Sequence, residues 1–441
     1  MFKTSEKSLV TNINNIVASL FVINLFGVMV FMRSFVGIYI FGIQLGKIYT
    51  GLSLLACLLL SSKKIFFLFF NEDLNNLRKS LQFVTLSFFV VVLINRNFTF
   101  DLSSLRNSSF VWSIGYFFIG YYLVNRINKY YLLAASSLVL FASYFITFIN
   151  YPNFIMDFFI SFGDKFQFIK AADTLLLLIV FNFLVKKMNF DTKFEFITFL
   201  FSLSLFYPYF FVQSRGSVLG ALIYLLFNLY SYRRYIINNY FRSLILIIFS
   251  GILFYGSSFL ISGISYSDEY NPESIQEVNE ILIDEVVTKK DVPKGFLTFY
   301  FADGRIHSYD NTTNWRLDIW QDLVEDLYKK NKILFGLGYE GIFEIMLDPT
   351  APGRLGRDGL NENVHNYFMN IFGRGGIFQL SIFLYLYLNI YRFWKQKGYS
   401  TNSFYTLILP LLVVSSLDVT MEGVQFPLIF FSFLGYYVSE D

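Results

Sequence analysis

One cysteine, Cys57, stands in a chain of 441 residues, which excludes an internal disulfide and a cysteine metal site. It lies in an apolar block and reads as packing. There are two histidines, His307 and His365. Charged residues make up only 15% of the chain, against roughly 25% in an average soluble domain, so a soluble enzyme is excluded. The formal charge of +3 comes from scattered basic residues, which offer no patch to a nucleic acid. No glycine-rich phosphate loop followed by Lys-Ser/Thr occurs, and no zinc motif. No cofactor and no metal is therefore expected, and ATP-driven transport by this chain is disfavoured. Tandem repeats and low-complexity tracts are absent too.

What the chain has is apolar bulk: 55% hydrophobic residues, 21% aromatic, and a mean hydropathy of +0.50. The apolar residues come in blocks of roughly 17–25, the length that crosses about 30 Å of hydrocarbon. Spans are expected near 16–32, 43–60, 81–95, 109–124, 131–148, 172–185, 196–213, 217–231, 243–262, 377–391, 403–417 and 424–438. The pattern predicts an all-α polytopic membrane protein with about twelve transmembrane helices. Residues 35–46, with Lys47 just after, read either as a short interfacial piece or as part of the second helix. Lys3 and Lys7 precede the first apolar stretch, but no small-residue cleavage site follows, so a retained first helix is expected. The 57 Phe and 31 Tyr residues read as lipid-facing bulk and interfacial belts.

Basic residues in short loops mark the cytoplasmic side. Alternate loops hold Lys63, Lys64, Arg78 and Lys79; Arg126 and Lys129; Lys186, Lys187 and Lys193; Arg233, Arg234 and Arg242; then Arg392, Lys395 and Lys397. Both termini are expected in the cytoplasm. Three regions follow: 1–262 with about nine helices, a loop module over 263–376 outside the cytoplasm, and 377–441 with about three helices. The module opens acidic and is long enough for short helices of its own.

Three polar signals fall on that outer face. Gln213-Ser214-Arg215-Gly216 makes an abrupt turn between two apolar blocks, with Gly216 permitting it. An arginine at the hydrocarbon boundary either snorkels or meets an anion. Next, Asn314-Trp315-Arg316-Leu317-Asp318 opens a helix running to about Lys330. Asn314 is the expected N-cap, and Trp320, Leu323, Val324, Leu327 and Tyr328 mark its apolar face. An anion beside Arg316 in the first turn is favoured by the helix dipole, while an ion pair with Asp318 or Asp310 is the plainer reading. Third, Asn363-Val364-His365-Asn366-Tyr367 leads to Gly373-Arg374-Gly375-Gly376 and a span. His365 is either a hydrogen-bonded structural residue or a proton acceptor, an imidazole titrating ordinarily near 6.5.

The run from Asn314-Trp315-Arg316 through Gly336-Leu337-Gly338 to Val364-His365-Asn366-Tyr367 and the Gly373/Gly376 pair resembles the signature region of the O-antigen ligase and polymerase family. Ser214-Arg215-Gly216 is similar to that family's upstream arginine motif. The likeness covers roughly residues 196–391. It implies a GT-C-like, metal-independent, inverting glycosyltransferase of the bacterial inner membrane, with the loop module in the periplasm. The implied donor is an undecaprenyl-diphosphate-linked glycan; the acceptor is a second lipid-linked repeat or lipid A–core. Membrane lipids and a chain-length regulator complete the implied partners. Carried over, Arg215 and Arg316 hold the donor diphosphate and His365 assists the acceptor hydroxyl. Arg374 and the Gly353-Arg354-Leu355-Gly356-Arg357 loop are further substrate-binding candidates without a matching motif. A polymerase is the leading expectation, a ligase the close alternative and a lipid-linked oligosaccharide flippase the distant one. The flippase predicts internal symmetry and a cation-lined cavity within the helices, and the sequence carries neither.

Overall fold

A computed structural model describes residues 2–70, 72–96, 99, 102–148, 152–164, 166–262, 298–348, 351, 354 and 363–439. The helices are α1 (Phe2–Val36), α2 (Leu45–Ser61), α3 (Lys63–Phe69), α4 (Asn75–Asn95), α5 (Leu102–Asn107), α6 (Ser109–Trp112), α7 (Gly115–Leu123), α8 (Lys129–Phe148) and α9 (Asn153–Phe162). They continue as α10 (Ala171–Lys187), α11 (Thr192–Gln213), α12 (Arg215–Asn238), α13 (Tyr240–Ser262), α14 (Asn311–Lys329), α15 (Tyr367–Gln396), α16 (Thr401–Ser415) and α17 (Gln425–Val438). Two antiparallel hairpins are the strands among the described residues: β1 (Tyr39–Ile40) with β2 (Ile43–Gln44), and β3 (Phe299–Ala302) with β4 (Arg305–Ser308). The chain is an all-α polytopic membrane protein.

The segments expected to span lie mainly on helix, except that 43–60 begins on a strand and 109–124 is broken between α6 and α7. Among the described residues, six runs are both long and apolar enough to cross a membrane: Asn14–Val36, Glu72–Asn95, Lys129–Ile146, Thr192–Gln213, Tyr240–Leu260 and Tyr367–Gln396. α2, α16 and α17 are apolar but shorter, as is α9, which hydropathy alone does not mark. The 14 residues of α17 rise only about 21 Å. Residues 39–44 form the first hairpin, which resolves the two readings of 35–46. Its turn residues Phe41 and Gly42 both have positive φ (51° and 78°), the geometry that matches the twist of a two-residue hairpin.

The chain divides into two compact units, one of Met1–Thr85, Ser109–Ile264 and Tyr385–Asp441, the other of Leu86–Ser108 and Ser265–Leu384. In the first unit, α7 and α17 meet backbone to backbone. A Cβ on Gly120 would collide with the Ser432 main chain, and one on Gly435 with the Phe117 carbonyl. Small residues of this kind let helices approach where lipid supplies no apolar driving force. Glu422, in the turn between α16 and α17, is buried and takes the Thr420 N–H on Oε2 at 3.0 Å. Burial pushes its carboxyl from the usual 4.5 to about 8, with Asp418 adding to the rise and Lys170 opposing it.

The second unit is built on α14. Ile319, Leu323 and Leu327 are buried with Phe343, Met346 and Val364, while Trp315 and Trp320 pack alongside. Val324 and Tyr328, expected on the apolar face, are exposed; the i, i+4, i+8 stripe of Ile319 is the one that faces inward. α15 starts at Tyr367, ten residues before the expected span, and breaks at Gly376, whose φ is +67°. The N–H groups of Ile377 and Phe378 donate to the carbonyls of Ile333 and Leu334 at 3.0 and 3.1 Å. The carbonyls of Gly373 and Arg374 accept from Leu337 and Gly338 at 2.8 and 2.9 Å. The 333–338 loop thus satisfies the main-chain groups that the break releases.

Two outcomes follow from these features. Gly376→Ala places a Cβ against the Leu334 main chain and adds left-handed strain of about 1–2 kcal/mol. It should lower the unfolding midpoint of the detergent-purified protein in scanning fluorimetry; an unchanged midpoint would refute this account of the break. For Glu422 the folded state keeps a proton that the unfolded chain loses above the usual carboxyl range. Its contribution is therefore complete below about pH 4.5 and lost as pH rises to about 8. Glu422→Gln should flatten the midpoint between those pH values and raise it at pH 8; parallel curves for the two proteins would contradict the burial argument.

Candidate functional site

α11 ends at Gln213 and α12 begins at Arg215, with Ser214 alone between them. Ser214 is the N-cap of α12, its Oγ accepting the Ser217 N–H at 3.3 Å, so Arg215 is an exposed first helical residue. Gly216 is helical, and its value lies in packing instead of turning: a Cβ there would sit 3.0 Å from Leu417 Cβ. Arg215 belongs to the first unit; Arg316, His365 and Arg374 belong to the second.

α14 starts earlier than the sequence suggests. Asp310 is its N-cap, with Oδ2 accepting the Thr313 N–H at 2.9 Å and hydroxyl at 2.6 Å. Asn314, expected as the cap, lies within the helix, where its side chain accepts from the Ser308 N–H and donates to Asp318 at 2.9 and 3.1 Å. Arg316 therefore falls in the second turn, half-buried, one turn beyond the strongest reach of the dipole. Burial pushes the Asp318 carboxyl up, against the pull of Arg305, His307 and Arg354.

His365 occupies the connection into α15. Its φ is +53°, a left-handed conformation that costs energy for any side chain other than glycine. Its ring meets Trp315 edge to face, with centroids 4.7 Å apart. Trp320 donates its indole N–H to the Val364 carbonyl at 2.8 Å. On the other side Asn366 Oδ1 accepts the N–H groups of Phe368 and Met369 at 3.0 and 3.1 Å, capping α15. The segment carrying Arg316 is thus tied to His365 through the neighbouring Trp315 and through Trp320. His307 is placed on β4, stacked on Tyr300.

Arg374 is 1% exposed. Its guanidinium donates to the carbonyls of Gly338, Glu340 and Gly341 at 3.0–3.4 Å and lies 4.0 Å from the Phe343 ring centre. It fastens a loop. Arg354, also buried, donates to Asp322 at 2.5 Å and to the Ile345 carbonyl at 2.8 Å. Arg305 holds the other Asp322 oxygen at 2.6 Å. Gly353, Leu355, Gly356, Arg357 and the acidic opening of the 263–376 module lie outside the described residues. Asn107 has no motif to mark it, yet its amide donates to the carbonyls of Tyr339 and Gly341 at 3.0 and 2.9 Å.

An imidazole held against Trp315, with a half-buried arginine at the next position of the same helix, offers residue types suited to proton transfer and anion binding. No curated protein gives a significant match to the chain. Residues 196–384 match the family model described as O-Antigen ligase, an interval that contains Arg215, Arg316, His365 and Arg374. Over residues 196–384 the chain is thus similar to the O-antigen ligase family, the resemblance that its motifs carry.

Proposed function

We propose that the protein is an inverting, metal-independent glycosyltransferase that joins lipid-linked oligosaccharide repeats into a longer surface polysaccharide, with undecaprenyl diphosphate as the leaving group. The observation that carries this reading is His365, held in a left-handed conformation against Trp315, the residue next to Arg316. In one displacement the acceptor hydroxyl oxygen bonds to the anomeric carbon as the bond from that carbon to the diphosphate oxygen breaks. The hydroxyl proton passes to His365, and the charge left on the diphosphate is met by Arg215 and Arg316. Bidentate guanidinium bonds suit that charge, and loss of one such stabiliser costs roughly 10²–10³ in rate. On this reading the protein lies in the bacterial inner membrane, with both termini cytoplasmic and the 263–376 module in the periplasm. A chain-length regulator is a partner of the polymerase reading. The ligase reading, transfer to lipid A–core, shares the donor chemistry and is favoured by the description of the matching family model.

The test is lipopolysaccharide banding from a deletion strain complemented with the wild type, Arg215→Ala, Arg316→Ala or His365→Ala. A core bearing a single repeat in the deletion strain identifies the polymerase. Bare core with accumulated lipid-linked polymer identifies the ligase. Each variant, at wild-type protein level, is expected to reproduce the deletion pattern; full ladders from all three would sink the site.

A further inference from the structure

We infer that Trp320 is a positioning residue for His365: its indole N–H, on the Val364 carbonyl at 2.8 Å, orients the peptide plane that sets the backbone conformation of the histidine. The inference rests on the proposed role of His365 and concerns how that role is made available. The Val364 carbonyl and the His365 nitrogen share one rigid peptide unit. Rotation of that unit about the His365 N–Cα bond is φ, so anchoring the carbonyl oxygen fixes φ. The next peptide unit is fixed independently, because Asn366 is the cap of α15 and its Oδ1 takes the N–H groups of Phe368 and Met369.

A left-handed histidine persists only where its surroundings over-determine it. Here both neighbours are held: Val364 is fully buried among Ile319, Leu323 and Leu327, and Asn366 is buried as well. Released from the Trp320 bond, the 364–365 plane can relax toward negative φ, and the backbone geometry that seats the imidazole on the Trp315 edge goes with it. Because Trp315, Arg316 and Trp320 lie on one helix, the same bond also sets the spacing between the imidazole and α14. A buried indole N–H takes a partner in any role; here that partner is the carbonyl of the peptide unit that sets φ of the histidine.

The test separates ring from N–H. Trp320→Phe keeps an aromatic ring and removes the donor. β-(3-benzothienyl)alanine at position 320 replaces N–H by sulfur at nearly constant shape, and covers the case in which the phenylalanine variant folds poorly. With only two histidines in the full chain, diethyl pyrocarbonate labelling followed by peptide mass spectrometry reads His365 with His307 as internal control. Both variants should change the His365 labelling rate several-fold and leave His307 unchanged. With lipid-linked donor and acceptor, kcat should fall roughly 10- to 100-fold with little change in KM. An unaltered His365 rate in a folded benzothienyl variant overturns the inference. If His365→Ala keeps its activity, the proposed function fails, and the labelling result still decides whether Trp320 holds the histidine.

Discussion

The break in α15 at Gly376 is the constraint from which the second unit is built. An unpaired main-chain group away from water costs several kcal/mol, and a helix interrupted inside the protein releases such groups in both directions. The 333–338 loop meets them with two carbonyls and two N–H groups, and glycine is required at 376 because φ is positive and Leu334 lies against it. Arg374 engages the same loop twice, with its own carbonyl on the Gly338 N–H and its guanidinium on three carbonyls further along. A segment without regular structure is thereby fixed. Phe343, under that guanidinium, enters the core of α14.

From that core the order passes outward to the candidate site. Ile319, Leu323 and Leu327 hold α14 by one face, and Val364 closes the cluster. The other side of the helix is bound by charge: Asp322 receives Arg305 from β4 and Arg354 from the following loop, one on each oxygen. Arg354 is 5% exposed, and removing its partner would leave a buried charge uncompensated. Gln321 adds two bonds to the Ile306 main chain. The hairpin, the loop and the start of α15 are therefore all referred to a single helix, the one that carries Arg316.

The helices were legible because apolar runs of membrane length have few alternatives. Local geometry was less so. Hydropathy places no hairpin at 39–44, because its signal is the positive φ available at Gly42 and not the apolar side chains around it. Asn314 looked like a cap since Asn favours caps, but Asp310 with Thr313 one turn earlier meets the same need, and the helix begins there. Val324 and Tyr328 have the right spacing for the apolar face and lie just off it; only the position of Phe343 and Met346 decides which stripe turns inward. The glycines at 373 and 376 were visible as a motif, whereas the carbonyls that a break at Gly376 would meet come from residues about forty positions earlier, which no local pattern reports. The left-handed histidine is a long-range effect of the same kind.

The arginines can be sorted by what holding them costs the fold. Withdrawing Arg374 toward a diphosphate would strip three buried carbonyls of a charged donor, and withdrawing Arg354 would leave Asp322 short of a partner in a half-dry setting; bonds of this kind to charged groups are worth about 1.5–3 kcal/mol each. The proposed donor, which would enter and leave at every turnover, is poorly served by such residues. Arg215 and Arg316 lie in other settings. The first is an exposed residue at the start of a capped helix, where the dipole makes a cation unwelcome and an anion welcome. The second is half-buried in a second turn, next to a tryptophan that touches the histidine. An anion is favoured by the dipole at the one and gains strength from the partly dry surroundings of the other, which is the physical ground on which Arg215 and Arg316 are proposed for the diphosphate.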